Sequence, residues 1–193
     1  SVIILPNFKT ALNRANDTKL KQFAITLDKK YDIVNKYDFE EGTGLVSKDS
    51  NIYTQNNLTI PGSGVTWDTN TYSSSSAYSL LFNGTNYITS QNNLPALDGK
   101  SFSVSVWVRR TGGFGAVGFR TIFSKGNGGT RGQLSLNFYD DAIHVGFWGP
   151  EYQTTVKVTD QNWHHLAISF DSQTNLLNIY LDSKKIGNSY NLG

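Results

Sequence analysis

The sequence predicts an all-β protein: a two-sheet antiparallel jelly-roll sandwich with a short N-terminal helical extension. Three observations carry this prediction: apolar stretches are short, glycine-containing turns separate them, and several alternate with a period of two. No strand–helix–strand rhythm is present, which argues against a parallel α/β sheet. The length of 193 residues fits one domain plus an extension.

Residues 1–36 are predicted to be an N-terminal extension that is partly helical. Phe8, Leu12 and Ala15 follow one another at helical spacing, and they predict one amphipathic helix near residues 7–23. We expect this helix to pack on the domain or on the rest of a longer protein.

Residues 37–193 are predicted to form the jelly roll. Alternation is clearest in five predicted strands: Ser101–Arg109, Gln133–Tyr139, Ala142–Trp148, Trp163–Phe170 and Asn178–Asp182. Weaker strands are expected at residues 37–41, 57–60, 64–67, 79–82, 86–89, 120–124 and 154–158. The core is predicted to contain Phe102, Val104, Val106, Leu134, Leu136, Ile143, Val145, Leu166, Ile168, Ile179 and Leu181. Asp140-Asp141 is predicted to be a two-residue hairpin turn, which would place Asn137 opposite His144.

Composition restricts the possible partners. With 17 Lys and Arg against 15 Asp and Glu, the net charge is +2, and no nucleic-acid partner is expected. The longest apolar run, Val2 to Leu5, is far shorter than the roughly 20 residues of a membrane helix, so no membrane span is expected. Cysteine is absent, which excludes disulfides and zinc–thiolate sites. Methionine is also absent, so we expect Ser1 to result from processing or from excision out of a larger chain.

Carboxylates and histidines do not form an enzyme pattern. The glutamates are Glu40, Glu41 and Glu151 only, whereas jelly-roll glycoside hydrolases work with two facing carboxylates. Neighbours on a strand point to opposite faces, so neither Glu40 with Glu41 nor His164 with His165 can act on one ligand together. We therefore predict no catalytic residue, no metal site and no enzyme activity.

Four stretches carry a resemblance to a known family. They are Tyr37-Asp-Phe-Glu-Glu-Gly-Thr-Gly with Asp49-Ser50, then Ser79–Ile88, then Phe102–Val108, and last Trp163–Phe170 with Ile179–Asp182. In this order they resemble the laminin G-like branch of the concanavalin A-like lectin/glucanase jelly rolls, over about residues 37–190.

The resemblance also implies a difference at the C-terminal end. The family continues past its tyrosine–aspartate strand with a glycine turn and one or two closing strands, whereas the chain ends at Gly193. The closing strands are thus expected to be missing, with residues 1–5 or a partner supplying a strand. Calcium sites in such folds often draw ligands from that end, so the sequence does not support calcium, and no cofactor is expected.

Aromatic and polar residues on the less apolar strand faces predict a carbohydrate-binding surface. Sugar rings stack on aromatic side chains, while amides and imidazoles bond sugar hydroxyls. The predicted ligand-binding residues are Trp148, His144, Asn137 and Tyr139. Trp107 and Tyr180 either join such a surface or fill the space between a sheet and a covering loop. The loop at residues 111–120, with two aromatic residues, is the next candidate.

The favoured hypothesis is a non-catalytic recognition module that binds glycans in an extracellular, cell-surface or virion protein. An alternative is a structural or adhesive module, such as a coat, fibre or adhesin component, that contacts protein and has no small ligand. A third is an accessory domain of a carbohydrate-active enzyme. The fold alone cannot separate these hypotheses.

Overall fold

The computed structural model describes residues 2–5, 33–51, 53–94, 97, 99–126, 133–147 and 151–191. The helix predicted near residues 7–23 lies outside these ranges. A helix with the length and hydropathy needed to cross a lipid bilayer is absent from the part of the chain that the structure describes.

Strands and turns make up the described residues. The first strands are β1 (Val2–Leu5), β2 (Asn35–Tyr37), β3 (Val46–Ser47), β4 (Leu58–Thr59), β5 (Val65–Asp68), β6 (Ser79–Phe82) and β7 (Thr89–Ser90). The longer strands follow as β8 (Phe102–Arg109), β9 (Phe119–Lys125), β10 (Leu134–Tyr139), β11 (Ala142–Phe147), β12 (Glu151–Lys157), β13 (Trp163–Asp171), β14 (Leu176–Leu181) and β15 (Lys184–Asn191).

Two antiparallel sheets stack to form the sandwich. One has six strands in the order β15-β14-β13-β8-β1-β2, and the other has four in the order β12-β11-β10-β9. Two small sheets, β3-β4-β7 and β5-β6, complete the described strands. The prediction of an all-β, two-sheet antiparallel jelly roll is confirmed.

The six-stranded sheet contains a strand from residues 2–5 and also a strand after β14, where the resemblance led us to expect closing strands to be missing. Residues 2–5, one of the two expected sources of an extra strand, form β1 and lie between β2 and β8. Strand β15 follows β14 through the turn Asp182-Ser183, where both residues have positive φ. Strand β15 was not expected from the sequence, because Lys184, Lys185 and their polar neighbours show little alternation. Lysines are typical of an edge strand, where they discourage pairing with other chains.

The core lies between the two sheets. Ten of the eleven predicted core residues belong to its buried cluster, and Leu181 is half-buried and packs against it. Tyr152 on β12 closes one side of the sandwich: its hydroxyl donates to the carbonyl of Asn191 at 2.9 Å, and its ring lies 4.7 Å from that of Tyr190. The inward faces of the described strands are therefore filled by core packing, and their outer faces are the surfaces that we consider for ligand binding.

Candidate functional site

The β10–β11 hairpin forms the centre of the four-stranded sheet. Tyr139 pairs with Ala142 and Asn137 pairs with His144, which is the register that the sequence predicts. The turn Asp140-Asp141 has φ of 47° and 66°, a conformation that aspartate tolerates better than most residues. Three of the four predicted ligand-binding residues therefore lie together on one side of the sheet.

The pairing registers arrange the outer face of this sheet in three rows that run across all four strands. The aromatic row contains Phe119, Tyr139, Ala142 and Lys157. The amide row contains Thr121, Asn137, His144 and Gln153. The hydroxyl row contains Ser124, Ser135, Gly146 and Glu151. Four strands span roughly 14 Å and adjacent rows lie roughly 7 Å apart, so the face is wider than a single sugar ring.

Side chains of the amide row form hydrogen bonds with one another and with the neighbouring hydroxyl row. Asn137 Oδ1 accepts a hydrogen bond from Thr121 Oγ1 at 2.8 Å, and its Nδ2 donates to Ser135 Oγ at 3.1 Å. The same Nδ2 lies 3.4 Å from Nδ1 of His144. Asn137 is 3 % exposed and His144 is 4 % exposed, so these two side chains form the floor of the face. That they contact a sugar directly stays a prediction.

Phe119 stands beside this floor and reaches solvent. Its ring lies 4.7 Å from the ring of Tyr139 and 5.0 Å, edge to face, from His144. It is nevertheless 55 % exposed, which leaves part of the ring available to a ligand. Phe119 belongs to the segment 111–120, so the structure joins the predicted site and the next candidate into one surface.

A buried ion pair holds the loop that precedes Phe119. Arg110 Nη1 lies 2.7 Å from Asp141 Oδ1, in an ion pair rather than a well-aligned hydrogen bond. Asp141 Oδ2 accepts from the backbone N–H of Gly115 at 2.8 Å, and the Arg110 guanidinium stacks on Phe114. The Gly115 N–H and the guanidinium together lower the pKa of Asp141. The hairpin turn of the site therefore also anchors the loop.

Glu151 and Gly146 shape the other end of the face. The Glu151 side chain is 64 % exposed, and its Oε2 lies 3.6 Å from Nε2 of His144. Between Glu151 and Ser135 stands Gly146, where an added Cβ would come within 2.8 Å of the Ser135 hydroxyl oxygen. Glycine is required here, because the Ser135 hydroxyl occupies the space that a side chain at position 146 would take.

Trp148, the predicted platform of this site, lies outside the described residues. Other residues of this face were not predicted from the sequence. Phe119, Thr121 and Gln153 were missed because their strands have weak alternation. In β9 the register shifts opposite Leu136–Asn137, and this bulge brings Ser124 to the same side as Thr121. Phe119 and Thr121 are two residues apart, and this spacing was the available sequence signal that they share one face of a strand. The bulge has no corresponding signal in the sequence.

The six-stranded sheet carries a second aromatic group on its outer side. The Trp107 ring stacks on Tyr72 with centroids 4.6 Å apart and an angle of 13° between the planes. Tyr72 also meets Trp163 edge-on at 6.4 Å. Because Tyr72 comes from a loop, Trp107 fills the space between the sheet and a covering loop. Tyr180 is buried on this side together with Ala167.

A serine and a histidine meet beneath these rings. Ser105 Oγ and His165 Nε2 lie 2.9 Å apart, and the His165 ring is 5.2 Å from Trp107. Burial lowers the pKa of His165 to about 4, although the charge of Asp182 opposes this shift. Within the described residues, no side chain bonds the Nδ1 of His165. A hydrolytic triad needs a carboxylate at that nitrogen, so the described pair lacks the third member.

His164 bridges two carboxylates at the end of the sandwich. Its Nδ1 lies 2.7 Å from Asp182 Oδ2, and its Nε2 lies 2.9 Å from Asp160 Oδ1. Burial by itself lowers the pKa of His164, but the hydrogen bonds and charges of both aspartates outweigh it and raise the pKa. The ring is hydrogen-bonded through both of its nitrogens, and it therefore links the start of β13 to the β14–β15 turn.

Acidic residues also line an open cleft of about 750 Å³ beside β2. Its carboxylates bond the protein itself: Glu40 accepts from the Ser76 hydroxyl and from the backbone N–H of Ala77, and Glu41 accepts from the backbone N–H of Lys48. Among the described residues, no group of three or more His, Asp and Glu side chains has the geometry to hold a metal ion.

A closed two-sheet sandwich with a polar, partly aromatic outer face is the architecture of a lectin-like binding module. The family model described as the concanavalin A-like lectin/glucanases superfamily matches residues 82–193, and the chain belongs to this laminin G-like family. Such domains bind carbohydrate or proteins, are typically non-catalytic and are commonly extracellular, although the superfamily also includes glycosidases. No curated protein and no solved structure matches the chain.

Proposed function

We propose that the chain is a non-catalytic recognition module that binds carbohydrate on the outer face of its four-stranded sheet. One observation carries the proposal: the hydrogen-bonding amide row lies next to the exposed ring of Phe119. Binding sites generally combine an apolar contact surface with a few placed polar groups that fix orientation.

The chemistry of this face matches that of a sugar. A sugar hydroxyl both donates and accepts hydrogen bonds, and the hydroxyl and amide groups of Thr121, Ser124 and Gln153 can do the same. These three side chains are exposed, whereas Asn137 and His144 support them from the floor. The C–H face of a sugar ring would rest on Phe119. By its place in the sequence directly after β11, Trp148 is proposed as a further platform.

Glycan binding can be tested on an array followed by calorimetry with the best ligand. Phe119→Ala should weaken that affinity about tenfold, since loss of one stacked ring costs about 1–3 kcal/mol by analogy with stacked bases. Tyr87→Ala is the matched control, because Tyr87 is an exposed aromatic residue outside the four-stranded sheet. Array binding that is lost equally in both variants, or in neither, would contradict the assignment of this face.

The proposal includes the absence of catalysis. Glu40 and Glu41 bond neighbouring loops, and Glu151 stands on the outer face without a carboxylate opposite it in the paired strand. A retaining or inverting hydrolase needs two carboxyl groups about 5–10 Å apart across one bond. Hydrolysis of any member of a polysaccharide panel that disappears with Glu151→Gln would overturn this part of the proposal.

The proposed location is outside the cell, on a cell surface or on a virion, in agreement with the common location of the family. A binding module in such a place acts by adhesion or by capture. Detection of the native protein on intact cells or particles, with protease accessibility as the readout, tests this location.

Contact with another protein is a second candidate function. Large apolar side chains are exposed on the small sheets and their connections, and exposed apolar surface often marks an interface. They are Leu45, Val46, Leu81, Phe82 and Tyr87. If this candidate is correct, Leu81→Ser with Phe82→Ser should abolish capture of a protein partner and leave array binding unchanged.

A further inference from the structure

The outer face carries little charge apart from one carboxylate. Lys157, in the aromatic row, is paired with Asp140 at 3.1 Å, so these two charges offset each other. The remaining positions in the rows are uncharged side chains, His144 and Glu151. Of the described residues on this face, Glu151 is therefore the one whose fixed charge has no oppositely charged lysine or arginine beside it.

Glu151 is placed where a ligand would meet it. Its side chain is largely exposed, and it pairs across the sheet with Gly146, which has no side chain that could cover it. A carboxylate only accepts hydrogen bonds, and it can accept from two neighbouring sugar hydroxyls at once. A second carboxylate or a sulfate in the same place would bring no proton to share, and it would be repelled.

We propose that Glu151 sets the specificity of the face for uncharged, hydroxyl-rich glycans and against glycans that carry carboxylate or sulfate groups. This inference rests on the proposed function, because it names the substrate class of the same site. Attraction comes from hydroxyl donors that reach the carboxylate, and discrimination comes from like-charge repulsion over the hydroxyl row.

The probe is a printed array with uncharged oligosaccharides beside their sialylated, sulfated and uronate counterparts. At low salt, we expect uncharged members to bind about tenfold more tightly. The preference should shrink as salt rises from about 0.02 M to about 0.5 M, because salt screens exposed charges.

Three variants separate the inference from the proposed function. Glu151→Gln keeps the size of the side chain and should reduce the preference to less than about threefold. Asp68→Asn makes the same change of net charge on β5, outside the face, and should leave the preference intact. Phe119→Ala should weaken all glycans together and keep their ranking.

The outcomes are distinguishable. If glycans bind and depend on Phe119, but charged members bind as tightly as uncharged ones or Glu151→Gln changes no ratio, the specificity inference is wrong and the proposed function stands. If no glycan on the array binds, or binding does not depend on Phe119, the proposed function fails and the inference fails with it.

Discussion

Replacing Val104 by aspartate puts a carboxyl group in the middle of the apolar layer. Val104 is 0 % exposed and lies on β8, whose neighbours β1 and β13 pair with it at Ile4 and Ile168. Fully burying a valine contributes about 1.5–3 kcal/mol, and an unpaired buried polar group costs about 1–3 kcal/mol in protein mutants. The expected loss of unfolding free energy is therefore about 3–6 kcal/mol, a large share of the roughly 5–15 kcal/mol of a typical domain.

Two further variants calibrate this loss. Val104→Ala removes two methyl groups and leaves a small cavity, so we expect a loss of about 2 kcal/mol and a folded protein. Val117→Asp introduces the same carboxyl group at a side chain that is 80 % exposed, and it should change stability by no more than about 0.5 kcal/mol.

The pH dependence adds a second test. Burial among apolar groups raises the pKa of an introduced carboxyl above its unfolded value of about 3.9, so the folded state binds the proton more tightly. Stability of Val104→Asp should then fall as pH rises above about 4, by at most about 1.4 kcal/mol per pH unit until the folded pKa is passed.

Urea unfolding followed by tryptophan fluorescence measures all three variants between about pH 4 and pH 8. If Val104→Asp fails to fold, Val104→Ala still tests the packing argument. The reasoning is refuted if Val104→Asp and Val117→Asp lose the same free energy, or if Val104→Ala is as stable as the wild type.

The other predictions concern the charged contacts and the site. His164 has a raised pKa, so its bonds to Asp160 and Asp182 should stabilise the fold fully below about pH 6 and lose this effect as pH rises through the folded pKa. The difference in melting temperature between wild type and His164→Gln should therefore be larger at about pH 5.5 than at about pH 9. An equal difference at both pH values would show that the hydrogen bonds of His164 to the two aspartates do not stabilise the fold in this way. Asp141→Asn keeps the side-chain shape at a positive φ but removes the charge beside a buried guanidinium. It should lower the melting temperature and speed amide exchange in residues 111–118, and unchanged exchange there would show that the ion pair does not anchor the loop. Trp148→Ala should weaken glycan affinity at least several-fold while the melting curve is kept, by the stacking analogy; unchanged affinity would leave Phe119 as the platform.

The alternation of apolar and polar residues, together with one turn, was enough to predict the core strands and the β10–β11 hairpin. Alternation along β8, β10, β11, β13 and β14 predicted which side chains enter the core, because successive side chains on a strand face opposite sides. The two-residue turn Asp140-Asp141 fixed the hairpin register, and hence the pairing of Asn137 with His144. Each of these inferences needs only neighbours in the chain.

Long-range packing decided the rest of the site. Phe119 and Glu151 reach the outer face because β9 and β12 flank the hairpin, and the bulge in β9 sets which of its residues point outward. The alternation within a single strand predicts neither the order of strands in a sheet nor the position of a bulge. The covering of Trp107 by Tyr72 and the insertion of β1 beside β8 likewise join residues far apart in the chain. Such contacts form only when separate strands pack together, because the burial that stabilises them is shared between distant segments.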